Sequence, residues 1–219
     1  MESEFINLTA ENICEEHLCC IIRSKKPHPG VEAKRSWLSG QLKEGHVFRK
    51  LNEKGCCFIE YAPLEKAWVP ITGNNFYYIY CLWVDGKLKG KGYGRELMEY
   101  CIADAREKGK SGICMLGAKK QKNWLSNQAF AKKYGFETVD VTDNGYIYDK
   151  IEDIRQYCES DNIPVSLILV DSLQKAKELP CVFNNWGAFY QGQFITVNLL
   201  DVPSVQKILK KGEQHDGKN

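Results

Sequence analysis

Apolar positions change their period abruptly in the middle of the chain. From Tyr77 to Val84 nearly every residue is aromatic or aliphatic, which predicts a short buried strand. A little further on, Leu97, Met98, Cys101, Ile102 and Ala105 fall on one face of a 3.6-residue period, which predicts an amphipathic helix. Between these two patterns lies a turn with alternating glycines, Gly90, Gly92 and Gly94, and interleaved lysines, Lys87, Lys89 and Lys91.

The same reading applied in order predicts a strand over 5–8 and a helix over 10–22 capped by Thr9. A second helix over 31–43 stops at Gly45, with Trp37 and Leu38 as its buried anchors. Strands over 46–51 and 56–61 flank a turn ending at Gly55. A loop over 62–75 precedes the central strand, and the helix after the glycine turn ends near Gly109. A strand over 113–116 leads into a helix that starts at Trp124 or Leu125 and stops at Gly135. Strands over 137–141 and 146–151 flank Asp143-Asn144-Gly145. Beyond this point the pattern predicts a helix over 153–160, a strand over 163–170 and a short helix ended by Pro180. A hairpin about Gln191-Gly192 and a last helix over 201–211 follow.

The glycine turn is where chemistry enters. Glycines admit positive φ and leave backbone amides bare, and a helix N-terminus adds unpaired N–H groups and a positive dipole end. Together they form an anion cradle suited to a pyrophosphate. The spacing excludes a P-loop, because Asp104 stands where Gly109-Lys110-Ser111 would need its first glycine. It also excludes the dinucleotide fingerprint, since the pattern is G-x-G-x-G and several elements precede it.

Strand, basic Gly-x-Gly turn and amphipathic helix together resemble the acetyl-CoA motif Q/R-x-x-G-x-G/A of the GNAT N-acyltransferases. Lys89-Gly90-Lys91-Gly92-Tyr93-Gly94 matches it with Lys at the first position. Phe130-Ala131-Lys132-Lys133-Tyr134-Gly135-Phe136 resembles the family's second signature, L-Y-E-K-x-G-F, and follows in the right order. The family's usual tyrosine, the proton donor to the leaving thiolate, aligns with Ala131. The resemblance covers residues 1–150 and implies a GNAT domain there, with a mixed α/β sheet. Residues 151–219 resemble the latter part of a thioredoxin fold and a YoaP-type domain. They lack C-x-x-C, so redox catalysis does not follow.

Composition changes this picture little. The chain has 219 residues, 43% hydrophobic and 26% charged, with a formal net charge of +2, so no nucleic-acid partner is implied. No stretch reads as a targeting or membrane segment, which sets cytoplasmic location as the expectation. The ten cysteines form no C-x-x-C and no zinc spacing, so they read as reduced thiols and no metal is expected. The four histidines have no partner at catalytic or metal spacing and receive no role.

The resemblance implies that acetyl-CoA is the acyl donor and that the acceptor is an amine, read here as a small molecule. It implies that Lys89, Gly90, Lys91, Gly92, Tyr93, Gly94 and Arg95 hold the pyrophosphate. It implies further that the backbone of Leu82, Trp83 and Val84 pairs with the pantetheine arm. Asn127 is read as a hydrogen-bond partner for that arm or as a helix cap. For the base, Glu60 is a candidate because its strand is otherwise apolar, and burial raises a carboxyl pKa; Glu65 or a water chain are alternatives. For the thiolate acid, Ser126, Tyr134, Tyr78 and Tyr80 stay open. A non-catalytic CoA-binding module is the competing reading, and a homodimer stays open.

Overall fold

The central apolar run forms the longest strand of a five-stranded sheet. The computed structural model describes residues 5–18, 29–53, 55–119, 125–139, 157–166, 168, 170–180, 187–196 and 202–216. They fall into two units, Met1–Ala67 with Ile71–Glu137, and Trp68–Pro70 with Thr138–Asn219.

In the first unit the sheet order is β1 (Phe5–Asn7), β2 (Val47–Leu51), β3 (Cys57–Pro63), β4 (Phe76–Val84), β5 (Gly112–Met115). The first four strands are antiparallel to their neighbours, and β4 and β5 are parallel. A parallel pair needs a crossover, and α2 (Tyr93–Glu107) supplies it. Its predicted face is buried through Leu97, Met98, Cys101 and Ala105, against Cys57, Ile59, Tyr61, Tyr77, Ile79 and Leu82 of the sheet. On the opposite face of the sheet, α1 (Pro29–Gln41) brings Leu38 onto Phe48 and Phe58, whose rings stack at 4.8 Å. Gly45, at φ +87°, ends the short 3-10 extension of α1.

Two adjacent residues of β4 break the alternation. Glu60 is paired with Cys81 but Tyr61 with Ile79, so Tyr80 is an extra residue, a β-bulge. Cys81 packs with the cluster under α1, and the ring of Tyr80 contacts Trp37 of α1. The bulge therefore turns two successive side chains to one face.

Beyond β5, the two-residue strands β6 (Gly117–Ala118) and β7 (Ser126–Asn127) pair in parallel and lead into α3 (Gln128–Lys132). That helix starts later than Trp124 or Leu125, because the Asn127 side chain accepts the Ala129 N–H at 2.8 Å and caps it there.

The second unit holds α4 (Leu173–Lys177), the hairpin β8 (Ala188–Tyr190) and β9 (Gln193–Thr196), and α5 (Val202–Asp216). Gln191 and Gly192 both have positive φ, 49° and 76°, as a tight hairpin turn demands. Cys158 and Val205 form a small core with Ile163 and Leu209.

Three expected elements do not form where their residues are described. Residues 10–18 form turns rather than a helix. Thr9 does cap this stretch, its Oγ1 accepting the Glu11 N–H at 3.3 Å while Asn12 Oδ1 accepts the Thr9 N–H at 2.8 Å, and Ile13 and Glu16 donate to the carbonyls of Thr9 and Asn12, but these bonds do not run on into a continuous helix within 10–18. The described part of 163–170 has no strand partner, and Ile168 is 81% exposed. An apolar run becomes a strand only where a neighbour supplies a ladder, which its own pattern does not record. Residues 137–139 are not a strand, and most of that proposed hairpin lies outside the described residues.

Candidate active site

The glycine turn sits directly after β4. Gly86–Leu88 form a 3-10 turn, opened by Asp85, whose carboxylate accepts the Gly86 N–H at 2.6 Å. Gly90 and Gly92 follow with φ of +77° and +88°, and a Cβ at either would meet nothing within 4 Å. Gly92 is the N-cap of α2, and its carbonyl accepts the N–H groups of Arg95 and Glu96. The amides of Gly90, Lys91, Gly92, Tyr93 and Gly94 take no protein acceptor among the described residues. Lys91 is exposed and Lys89 lies 3.4 Å from Asp85. Arg95 is 3.8 Å from Glu99, with both side chains largely in water. The loop thus presents bare amides, open space and solvent-facing cations, which fits a diphosphate. Gly94 differs: a Cβ there would stand 3.8 Å from Leu82 and Phe130, an ordinary contact.

The strand beside the loop loses its β5 neighbour part-way along. β4 and β5 pair from Phe76↔Gly112 to Ile79↔Met115 and no further, while β4 stays paired to β3 as far as Val84. Beside the gap lies a small recess, partly open to solvent, lined by Ile79, Tyr80, Cys81, Leu82, Trp83, Met115, Leu116 and Ser126. Leu82, Trp83 and Ser126 therefore share one wall. Asn127 stands next to Ser126, with its side chain engaged in capping α3.

A family scan matches residues 11–136 to the acetyltransferase (GNAT) family and residues 164–210 to the YoaP-like family. The chain belongs to the GNAT acetyltransferase family. As a member it is an acyltransferase whose donor is acetyl-CoA. It is 30% identical to "Uncharacterized N-acetyltransferase YoaP" of Bacillus subtilis (strain 168), over 94% of this chain and 98% of that protein. Among solved structures it resembles AAC(6')-Iy in complex with a CoA-containing bisubstrate analogue. That likeness has TM-score 0.50 and 10% identity, covering 68% of this chain and 99% of the other. A GCN5-related N-acetyltransferase from Ralstonia eutropha aligns with TM-score 0.44 and 20% identity, over 64% and 96%.

Glu60 does not line this recess. It is 3% exposed, with Oε2 2.6 Å from Lys34 Nζ and Oε1 3.1 Å from His46 Nε2. Burial pushes its carboxyl up, as expected, but Lys34 and His46 outweigh burial and bring it down to about 2. A carboxylate so acidic and so occupied is a weak base. His46 in turn stacks on Tyr80 at 5.2 Å and 21°, and Trp37 meets both rings edge-on. This chain of contacts runs from α1 to the recess wall. Sequence reasoning missed His46 and Lys34, because their partner is distant in the chain and only strand register brings them to it. Of the remaining candidate acids, Tyr78 is fully buried and burial raises its hydroxyl pKa well above the ordinary value. Tyr134 packs against Phe130 at 5.2 Å. Ala131 is buried, 6% exposed.

Proposed function

We propose that the protein transfers the acetyl group of acetyl-CoA directly to the amine of a small molecule. The observation that carries this reading is the stop of the β4–β5 ladder at Ile79↔Met115, short of the end of β4 that leads into the bare amides of Gly90–Gly94. Acetyl-CoA supplies the activated thioester. The amides of Gly90, Lys91, Gly92, Tyr93 and Gly94 take the pyrophosphate, with Lys89, Lys91 and Arg95 adding charge. Leu82, Trp83 and Val84 receive the pantetheine arm as an added strand. Ser126, on the recess wall, is the group that protonates the leaving thiolate.

Glu60 holds His46 and Lys34 in place rather than taking the amine's proton itself, and water in the recess carries that proton away. A small-molecule acceptor is supported by the similar structure of AAC(6')-Iy, which holds the bisubstrate analogue CoA-S-monomethyl-acetylneamine. Residues 1–150 are read as the transferase domain and 151–219 as a separate module. The described cysteines are free thiols, which suits a reducing cytoplasm.

The test has two steps. Acetyl-CoA raises the thermal midpoint of the full chain in a concentration-dependent way. A panel of small amines then releases free CoA, read with a thiol reagent. A thermal shift without CoA release from any amine overturns the small-molecule transfer, and the absence of a shift overturns the donor site.

A further inference from the structure

Gly90 and Gly92 leave the glycine loop without side-chain packing of its own, since a Cβ at either would meet nothing within 4 Å. Glycine loses more conformational freedom on ordering than any other residue, so amides in such a loop bind well only if something else holds them in place. The loop runs directly into α2, whose first residue is Tyr93. Leu97, Met98 and Cys101 fix the middle of that helix in the core. Its first turn is held by Tyr93, whose partly buried ring meets Phe5 of β1 edge-on, with centroids 5.9 Å apart at 84°.

Tyr100 stands two turns further along the same face of α2. The Arg49 guanidinium of β2 lies 4.0 Å from the centre of the Tyr100 ring and 5.5 Å from that of Phe5. Arg49 also donates to Asn7 Oδ1 at 3.0 Å, and Asn7 Nδ2 donates to the Tyr100 hydroxyl at 2.8 Å. Phe5 and Asn7 both belong to β1, a strand of three residues at the margin of the sheet, and the period of two puts them on one face. We propose that Phe5 and Arg49 are positioning residues for the diphosphate cradle. Arg49 holds Phe5 against Tyr93, and Tyr93 holds the first-turn amides where the phosphates meet them. Both act through Tyr93 rather than on the donor. Planarity matters here: a flat guanidinium lies on the rings and still reaches Asn7, as a lysine ammonium does not.

This inference rests on the donor site proposed above, and its test separates the two. Heteronuclear NOEs of the ligand-free, isotope-labelled full chain report the order of the loop amides, and calorimetry reports acetyl-CoA binding. In Phe5→Leu the NOEs of Gly90–Gly94 fall while those of β2, β3 and β4 do not change, and acetyl-CoA binds about fivefold more weakly. Arg49→Lys keeps the charge and loses the plane; it loosens the same amides, and acetyl-CoA binding weakens about threefold. Phe5→Tyr keeps the ring and behaves as wild type in both measurements. Unchanged loop NOEs in both Phe5→Leu and Arg49→Lys, or a loss of order that extends through β2, β3 and β4, overturn the inference and leave the donor site standing. A loosened loop with acetyl-CoA affinity unchanged, or a wild type that does not bind acetyl-CoA, overturns the donor site and the inference together.

Discussion

The Lys34 ammonium of α1 lies 2.6 Å from the Glu60 carboxylate in the middle of the sheet. Lys34 keeps 28% of its side chain in water, while Glu60 keeps 4%. Replacing Lys34 by Met leaves the carboxylate with His46 alone. Breaking a buried pair costs about 3–5 kcal/mol, and the partial exposure of Lys34 places this case near ~3 kcal/mol. Urea denaturation of Lys34→Met against wild type measures it. A loss under about 0.5 kcal/mol contradicts a buried pair.

Acid destabilises the protein in two windows. His17 is pushed from 6.5 to about 4, first by burial and then by the nearby Lys50. The unfolded chain therefore takes up this proton before the native state does, and stability falls as pH drops from about 6.5 to 4. Glu60 falls from 4.5 to about 2 through Lys34 and His46, which overcome its burial. Its contribution is complete above pH 4.5 and is lost as pH falls towards 2. Urea midpoints against pH show both limbs. His17→Gln flattens the upper one and Glu60→Gln the lower.

At the glycine turn, Gly92→Val lowers CoA affinity about 10- to 100-fold. A β-branched residue is strained at φ +88°, and its methyls occupy space that the fold leaves empty. Gly94→Ala is the contrast, since its Cβ meets only ordinary contacts with Leu82 and Phe130. Its CoA affinity stays within threefold of wild type, by calorimetry on both variants.

Ser126→Ala reports on the thiolate acid. The side chain lies on the recess wall, distant in sequence from the phosphate loop. With an amine that turns over, kcat falls about 10²-fold while acetyl-CoA affinity changes less than threefold. A fall in affinity with kcat unchanged assigns Ser126 to binding instead.

The part of the site that comes from one continuous stretch was legible in the sequence. β4, the glycine turn and α2 follow one another without interruption, so apolar period and turn chemistry located each of them. The network behind the recess was not legible. Lys34, His46 and Glu60 come from three different elements, and their meeting depends on the β2–β3 register that sets Phe48 against Glu60. Burial of Glu60 could be read from its apolar strand, but the sign of its pKa could not, because the two cations are invisible in the local pattern. The bulge at Tyr80 is likewise a property of pairing, not of composition. Residues 10–18 mislead for a different reason: Thr9 and Asn12 make a true helix-start signal and two i→i+4 bonds follow, but a first turn is costly and this one is not propagated into a continuous ladder.

The half-closed ladder between β4 and β5 has a cost that the protein carries until its donor arrives. A bare strand margin is a template for any extended peptide, including the same segment of another copy. In the proposed donor site, coenzyme laid along that margin would be a guard as well as a reagent, and the ligand-free protein would be the form more prone to associate with itself.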